Sequence, residues 1–95
     1  MGQGDAISAF LDKDGKVMRW PKKKSDKLEV LRYIQGKMEP GRTYTEKEIN
    51  GIIEGWHCFH DYALLRREMY DNYLLERSPD GRAYWIEGKD GQVAD

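Results

Sequence analysis

Five consecutive residues, His57-Cys58-Phe59-His60-Asp61, hold the densest set of metal-ligating side chains in the chain. Imidazole, thiolate and carboxylate suit zinc. A closed zinc site needs four donors, however, and the chain has no second cysteine and no third histidine to complete them. The structural reading is that Cys58 and Phe59 pack inward, while the histidines end a helix where the dipole favours a cation. Asp12-Lys-Asp-Gly15 opens like a calcium loop but lacks the later ligands and the closing glutamate, so it reads as a turn. There is no nucleophile elbow, no phosphate-cradling glycine loop and no triad arrangement. The chain reads as a binder, not an enzyme, with no catalytic residue, metal or cofactor expected.

Binding chemistry is offered by cations. Lys22, Lys23 and Lys24, with Arg19 and Lys27, lie just before or at the start of a helix, a position from which they can hold a phosphate backbone without reading sequence. Arg67, with Ala63 and Tyr70 nearby on a later helix, can enter a major groove, where a guanidinium matches guanine O6 and N7. Arg77 and Arg82 flank a hairpin turn, within reach of a minor groove or phosphate. Each has a plainer reading as a solvated charge, and from Asp61 to Arg82 four arginines face five acids. Arg66, on the border of the apolar face, is expected to pair with Glu48 or Asp61. Tyr33 and Tyr70 suggest instead a protein-binding or homodimer surface.

Composition limits the partners. The net charge is −1 over 95 residues, so the molecule as a whole does not attract polyanions. Its distribution is uneven: Lys16 to Lys37 holds eight cations and two acids, whereas Pro40 onward holds seven cations and eleven acids. A single cysteine excludes an internal disulfide and fits a reducing compartment. No stretch reads as a membrane span or signal peptide, so a cytoplasmic location without membrane contact is expected.

These residues need elements to position them. Phe10 to Met18 reads as two extended pieces around an Asp14-Gly15 turn. Leu28, Leu31, Ile34 and Met38, widened by Val30, recur at helical spacing and predict a helix over 26–38, capped by Ser25 or Asp26 and ended by Pro40-Gly41. Thr45 and Glu48 make a capping box, with Tyr44 and Ile49 as its hydrophobic staple, and start a second helix whose buried face is Ile49, Ile52, Ile53 and Trp56. Its Gly51 and Gly55 are expected to admit a close neighbouring helix. Asp61 caps a third helix that presents Tyr62, Leu65, Met69 and Tyr73 on one side. Leu74-Leu75, the Ser78-Pro-Asp-Gly81 turn and Arg82 to Ile86 form a hairpin. The expected organisation is a flexible segment over 1–9, one α+β domain of winged-helix type over 10–87, and a disordered tail over 88–95.

Phe10-Leu-Asp-Lys-Asp-Gly, Trp20-Pro-Lys-Lys-Lys, Arg42-Thr-Tyr-Thr-Glu-Lys-Glu-Ile-Asn, Asp61-Tyr-Ala-Leu-Leu-Arg-Arg-Glu-Met and Leu74-Leu-Glu-Arg with Asp80-Gly-Arg-Ala-Tyr-Trp follow one another in a single order. That series resembles an uncharacterised bacterial domain that is similar to winged helices and occurs alone or fused to helix-turn-helix transcription regulators. The resemblance implies a regulator-like setting, with Arg66, Arg67, Asp80, Gly81, Tyr84 and Trp85 at motif positions, and implies no catalytic residue. Two functions follow as expectations: a nucleic-acid-binding domain of a transcription regulator, contacting duplex DNA, or a protein-interaction module that does not bind DNA.

Overall fold

A computed structural model describes residues 7–87. Three helices and three short strands lie wholly within them: α1 (Lys24–Gln35), β1 (Tyr44–Thr45), α2 (Glu46–Gly55), α3 (Tyr62–Asp71), β2 (Glu76–Arg77) and β3 (Ala83–Trp85). The strands form one antiparallel sheet in the order β1-β3-β2. This is an α+β arrangement of winged-helix type, with α2 and α3 as the helix-turn-helix and β2–β3 as the wing. The expected tail over 88–95 and the first six residues of the expected flexible N-terminus lie outside the described residues. Ile7, ahead of the expected boundary, packs against the core. No helix among the described residues is long and apolar enough to cross a membrane.

The start of α2 follows its sequence signal. Thr45 Oγ1 accepts the Glu48 N–H at 3.1 Å, and Glu48 Oε1 accepts the Thr45 N–H at 2.9 Å. The cap residue does a second job, because Thr45 and the preceding Tyr44 pair with Ala83 and Tyr84 and supply the third strand. Tyr44 is buried, and its phenolic oxygen accepts the Glu39 N–H. On the other side of β3, Glu76 pairs with Trp85 and Arg77 with Tyr84. Gly81 at φ 74° closes the wing turn, where its N–H meets the Ser78 carbonyl.

The first helix begins earlier and ends sooner than its apolar spacing suggests. Lys23 occupies the cap without a side-chain hydrogen bond, so neither Ser25 nor Asp26 caps, and the helix stops at Gln35. Met38 is still buried, reached by a turn instead of helix. Val30, Leu31 and Ile34 from α1, Ile49 and Ile53 from α2, and Leu65 and Met69 from α3 are sealed in one core, with Ile52 and Trp56 partly buried against it. The N-terminal piece is tied in by two single bridges, antiparallel from Leu11 to Val17 and parallel from Val17 to His57, which bury Val17 completely.

Two expectations about helix faces fail. A Cβ placed on Gly51 or Gly55 meets nothing within 4 Å, so these glycines admit no neighbour. Gly51→Ala should therefore stabilise the domain by about 0.5–1 kcal/mol, the helix-propensity difference alone, as read from chemical denaturation. Tyr73 does not extend the apolar face of α3. Its N–H meets the Tyr70 carbonyl and the Leu74 N–H meets the Met69 carbonyl, which is a Schellman ending with tyrosine at the position glycine usually takes. Its φ of 62° turns the side chain out of the stripe and into solvent, at a backbone cost of roughly 1–2 kcal/mol.

Candidate nucleic-acid interface

The turn that aims α3 is built around His57. Its Nδ1 lies 2.7 Å from the Ile53 carbonyl and its Nε2 accepts the Asp61 N–H at 2.9 Å, so both ring nitrogens are committed to backbone. The ring thus links the end of α2 to the cap of α3, and Asp61 Oδ1 accepts the Leu64 N–H. His57 is the buried residue of the His-Cys cluster, and Cys58 is exposed, opposite to the inward packing expected of it. Phe59 is half-buried against the imidazole. Loss of surrounding water, then the hydrogen bond to Asp12, raises the Cys58 thiol above its ordinary value, which disfavours the thiolate a metal site needs. Among the described residues no three ligand-type side chains gather into a metal site.

Along one flank of α3 runs a groove of about 410 Å³ lined by Ala63, Arg66, Arg67, Tyr70, Asp71, Arg77 and Tyr84. Helix and wing meet here. Arg77 from β2 lies over the Tyr70 ring at 5.3 Å from its centroid, holding the two elements together by a cation–π contact. Arg67 projects from the rim with its side chain 81% exposed, 3.7 Å from Asp71 one turn on. Arg66 is held back by Asn50 Oδ1 at 2.6 Å and Glu46 Oε2 at 3.3 Å, and its side chain is only 24% exposed. It is an ion-pair partner, as its border position predicts, but the acid is Glu46 and not Glu48 or Asp61. Glu48 is occupied by the capping box and Asp61 by the α3 cap.

The opposite flank carries a second groove of about 260 Å³, lined by Lys22, Lys24, Lys27, Leu28, Glu68 and Asn72. Buried Pro21 sets the lysine run against the fold, and Glu68 and Asn72 belong to α3 and its cap. Lys23 is exposed at the α1 cap and lines neither groove. The two grooves thus share one helix, and in each of them three cations stand against one acid.

Other expected site residues lie apart. Arg19 stacks 4.9 Å over the Phe10 ring, and neither it nor Arg82 lines these two grooves. In the wing turn, Asp80 accepts the Arg82 N–H and the Ser78 hydroxyl, and these bonds, the hydroxyl first, lower its carboxyl below the ordinary aspartate value. Tyr33 is not a free surface residue. Its hydroxyl donates to the Gly15 carbonyl at 2.6 Å, its ring meets Trp56 edge-on, and Lys37 covers both rings. Tyr70, the other half of the expected protein-binding pair, is 43% exposed beside Arg77 in the arginine groove.

Sequence reasoning missed Tyr84 as part of the groove, because its alternation marks it only as a core position of the wing. A family model described as "Uncharacterized protein conserved in bacteria (DUF2087)" matches residues 16–86, a span that holds every residue of both grooves. No curated protein and no solved structure matches the chain.

Proposed function

We propose that this chain, which belongs to that bacterial family, is a winged-helix domain that works by binding duplex DNA, with α3 presented to a groove and its flanks held to phosphate. The observation that carries the reading is the placement of cations on both sides of one exposed helix ridge: Lys22, Lys24 and Lys27 against Glu68 on one side, and Arg67 and Arg77 against Asp71 on the other, where Arg66 is already paired with Glu46. Net charge hides this arrangement, because acids elsewhere in the chain cancel it. A helix fits the major groove, and cations beside it fall near the phosphates that border the groove. Lys22, Lys24, Lys27 and Arg77 add affinity without sequence preference, while Arg67, at the rim with only an exposed carboxylate beside it, is the side chain able to read guanine. Asp71 disfavours bases that offer only acceptors near it. We extend the proposal to a role in transcription regulation, which the helix-turn-helix arrangement of α2 and α3 supports.

Titration of a labelled duplex tests it. Binding at low salt should weaken with a log–log slope of about −4 to −5 if Lys22, Lys24, Lys27, Arg67 and Arg77 each neutralise a phosphate. A flat titration at low salt overturns the reading.

A further inference from the structure

Only four residues of α3 are exposed, Ala63, Arg67, Tyr70 and Asp71, and all four line the groove on the wing side. They form the outer ridge between the two flanks. At about 100° per residue, Arg67 stands opposite the buried pair Leu65 and Met69, and Asp71 stands beside it on the same outer side. Tyr70 is engaged by its ring with Arg77, and Ala63 has no polar side-chain atom. The charged chemistry of the ridge therefore rests on one guanidinium and one carboxylate.

Asp71 is poorly explained by the fold. It is the last residue of α3, where a carboxylate opposes the helix dipole, and no basic residue in that turn offsets it. Its one ion pair among the described residues is with Arg67 at 3.7 Å, with both side chains exposed, an arrangement that contributes little in water. A carboxylate on the ridge also repels the phosphates that the lysines and Arg77 are placed to hold. A duplex tolerates it there only where it meets a hydrogen-bond donor.

We propose that Asp71 reads a base, accepting a hydrogen bond from cytosine N4 in the major groove, an inference that rests on the duplex-binding reading above. In that groove guanine shows two acceptors and thymine an O4 acceptor, all of which repel a carboxylate. Adenine sets its N7 acceptor beside the N6 donor, whereas cytosine offers the N4 donor alone. With its flanks toward phosphate, α3 lies along the groove, and Arg67 and Asp71 are about 6 Å apart along its axis. Against a base-pair rise of about 3.4 Å, that is one to two steps. The preferred duplex therefore carries a guanine for Arg67 and, one to two base pairs on toward the C-terminal end of α3, a cytosine for Asp71.

Selection from a pool of randomised duplexes, followed by titration of single duplexes, tests this on wild type, Asp71→Asn and Arg67→Ala in the full chain. Wild type should bind a duplex with both bases about tenfold more tightly than one in which the cytosine is changed. Asparagine pairs with adenine N6 and N7, so Asp71→Asn should move the preference at that position from cytosine to adenine while the guanine stays. Loss of a negative charge should also tighten binding to every duplex, and the variant should melt no lower than wild type. Arg67→Ala should erase the guanine preference and keep the cytosine. An Asp71→Asn protein that binds more tightly but keeps the wild-type base preferences would overturn the proposal, leaving Asp71 a repelling charge only. So would salt-dependent binding by wild type with no cytosine preference, which leaves the duplex reading standing. Absence of wild-type binding at low salt overturns both together.

Discussion

Ile53→Ala is expected to lower the unfolding free energy by about 2–5 kcal/mol. Ile53 is completely buried in the single core that α2 shares with α1 and α3, so truncation leaves a cavity there. A domain of this size has roughly 5–14 kcal/mol in total, and each kcal/mol moves its midpoint by about 4–8 °C. The variant should melt at least about 8 °C below wild type. Ile52→Ala, one residue away but only half-buried, should cost clearly less. Equal losses at the two positions, measured by denaturant titration, would mean that the register of α2 is other than described.

Reversing Lys22, Lys24 and Lys27 to glutamate together should weaken duplex binding about a thousandfold at 0.1 M salt. A unit charge about 4 Å from a phosphate in water contributes about 1 kcal/mol, and reversal replaces that attraction by an equal repulsion. Three reversals therefore cost about 6 kcal/mol unscreened, and a Debye length of about 10 Å leaves about 4 kcal/mol. The loss should be the same for every duplex sequence, and the salt slope should become less steep by about 3. Stability gives an internal control, because acids at the N-terminus of α1 suit the helix dipole and the triple variant should melt near wild type. Lys23→Glu, whose side chain lines neither groove, should have a smaller effect. Arg67→Ala should behave differently, costing about 1–3 kcal/mol on a preferred site and little elsewhere. Sequence-dependent losses from the lysine variants, or uniform losses from Arg67→Ala, would reverse the roles assigned to the two flanks of α3.

Local signals in the chain were enough to determine its three helices and the wing hairpin, but not β1, which Tyr44 and Thr45 form only by pairing with β3, nor the start of β2 at Glu76 in place of Leu74. The Thr45–Glu48 capping box, the Asp61 cap, the glycines at positions 15 and 81, and the apolar stripes of α2 and α3 are each decided within four or five residues, where backbone geometry and side-chain hydrogen bonding act directly. Three helices and a wing were legible for that reason, and so were the cations of the candidate interface as residue types. Tertiary structure alone decided which of those cations stand together. Lys22 and Arg77 are 55 positions apart, and they flank the same helix only because α1 and the wing pack on opposite sides of α3. The same holds for the errors. Tyr33 lies off the apolar stripe of its own helix, yet its hydroxyl finds the Gly15 carbonyl from a distant turn. Arg66 pairs with Glu46 and Asn50 because the α2–α3 crossing brings those two positions beside it. Tyr73 fits the period of α3, but the helix ends two residues before it and a left-handed residue points off the stripe. Periodicity specifies which way a side chain faces within its own element; what it meets there depends on how separate elements pack, which no local pattern contains.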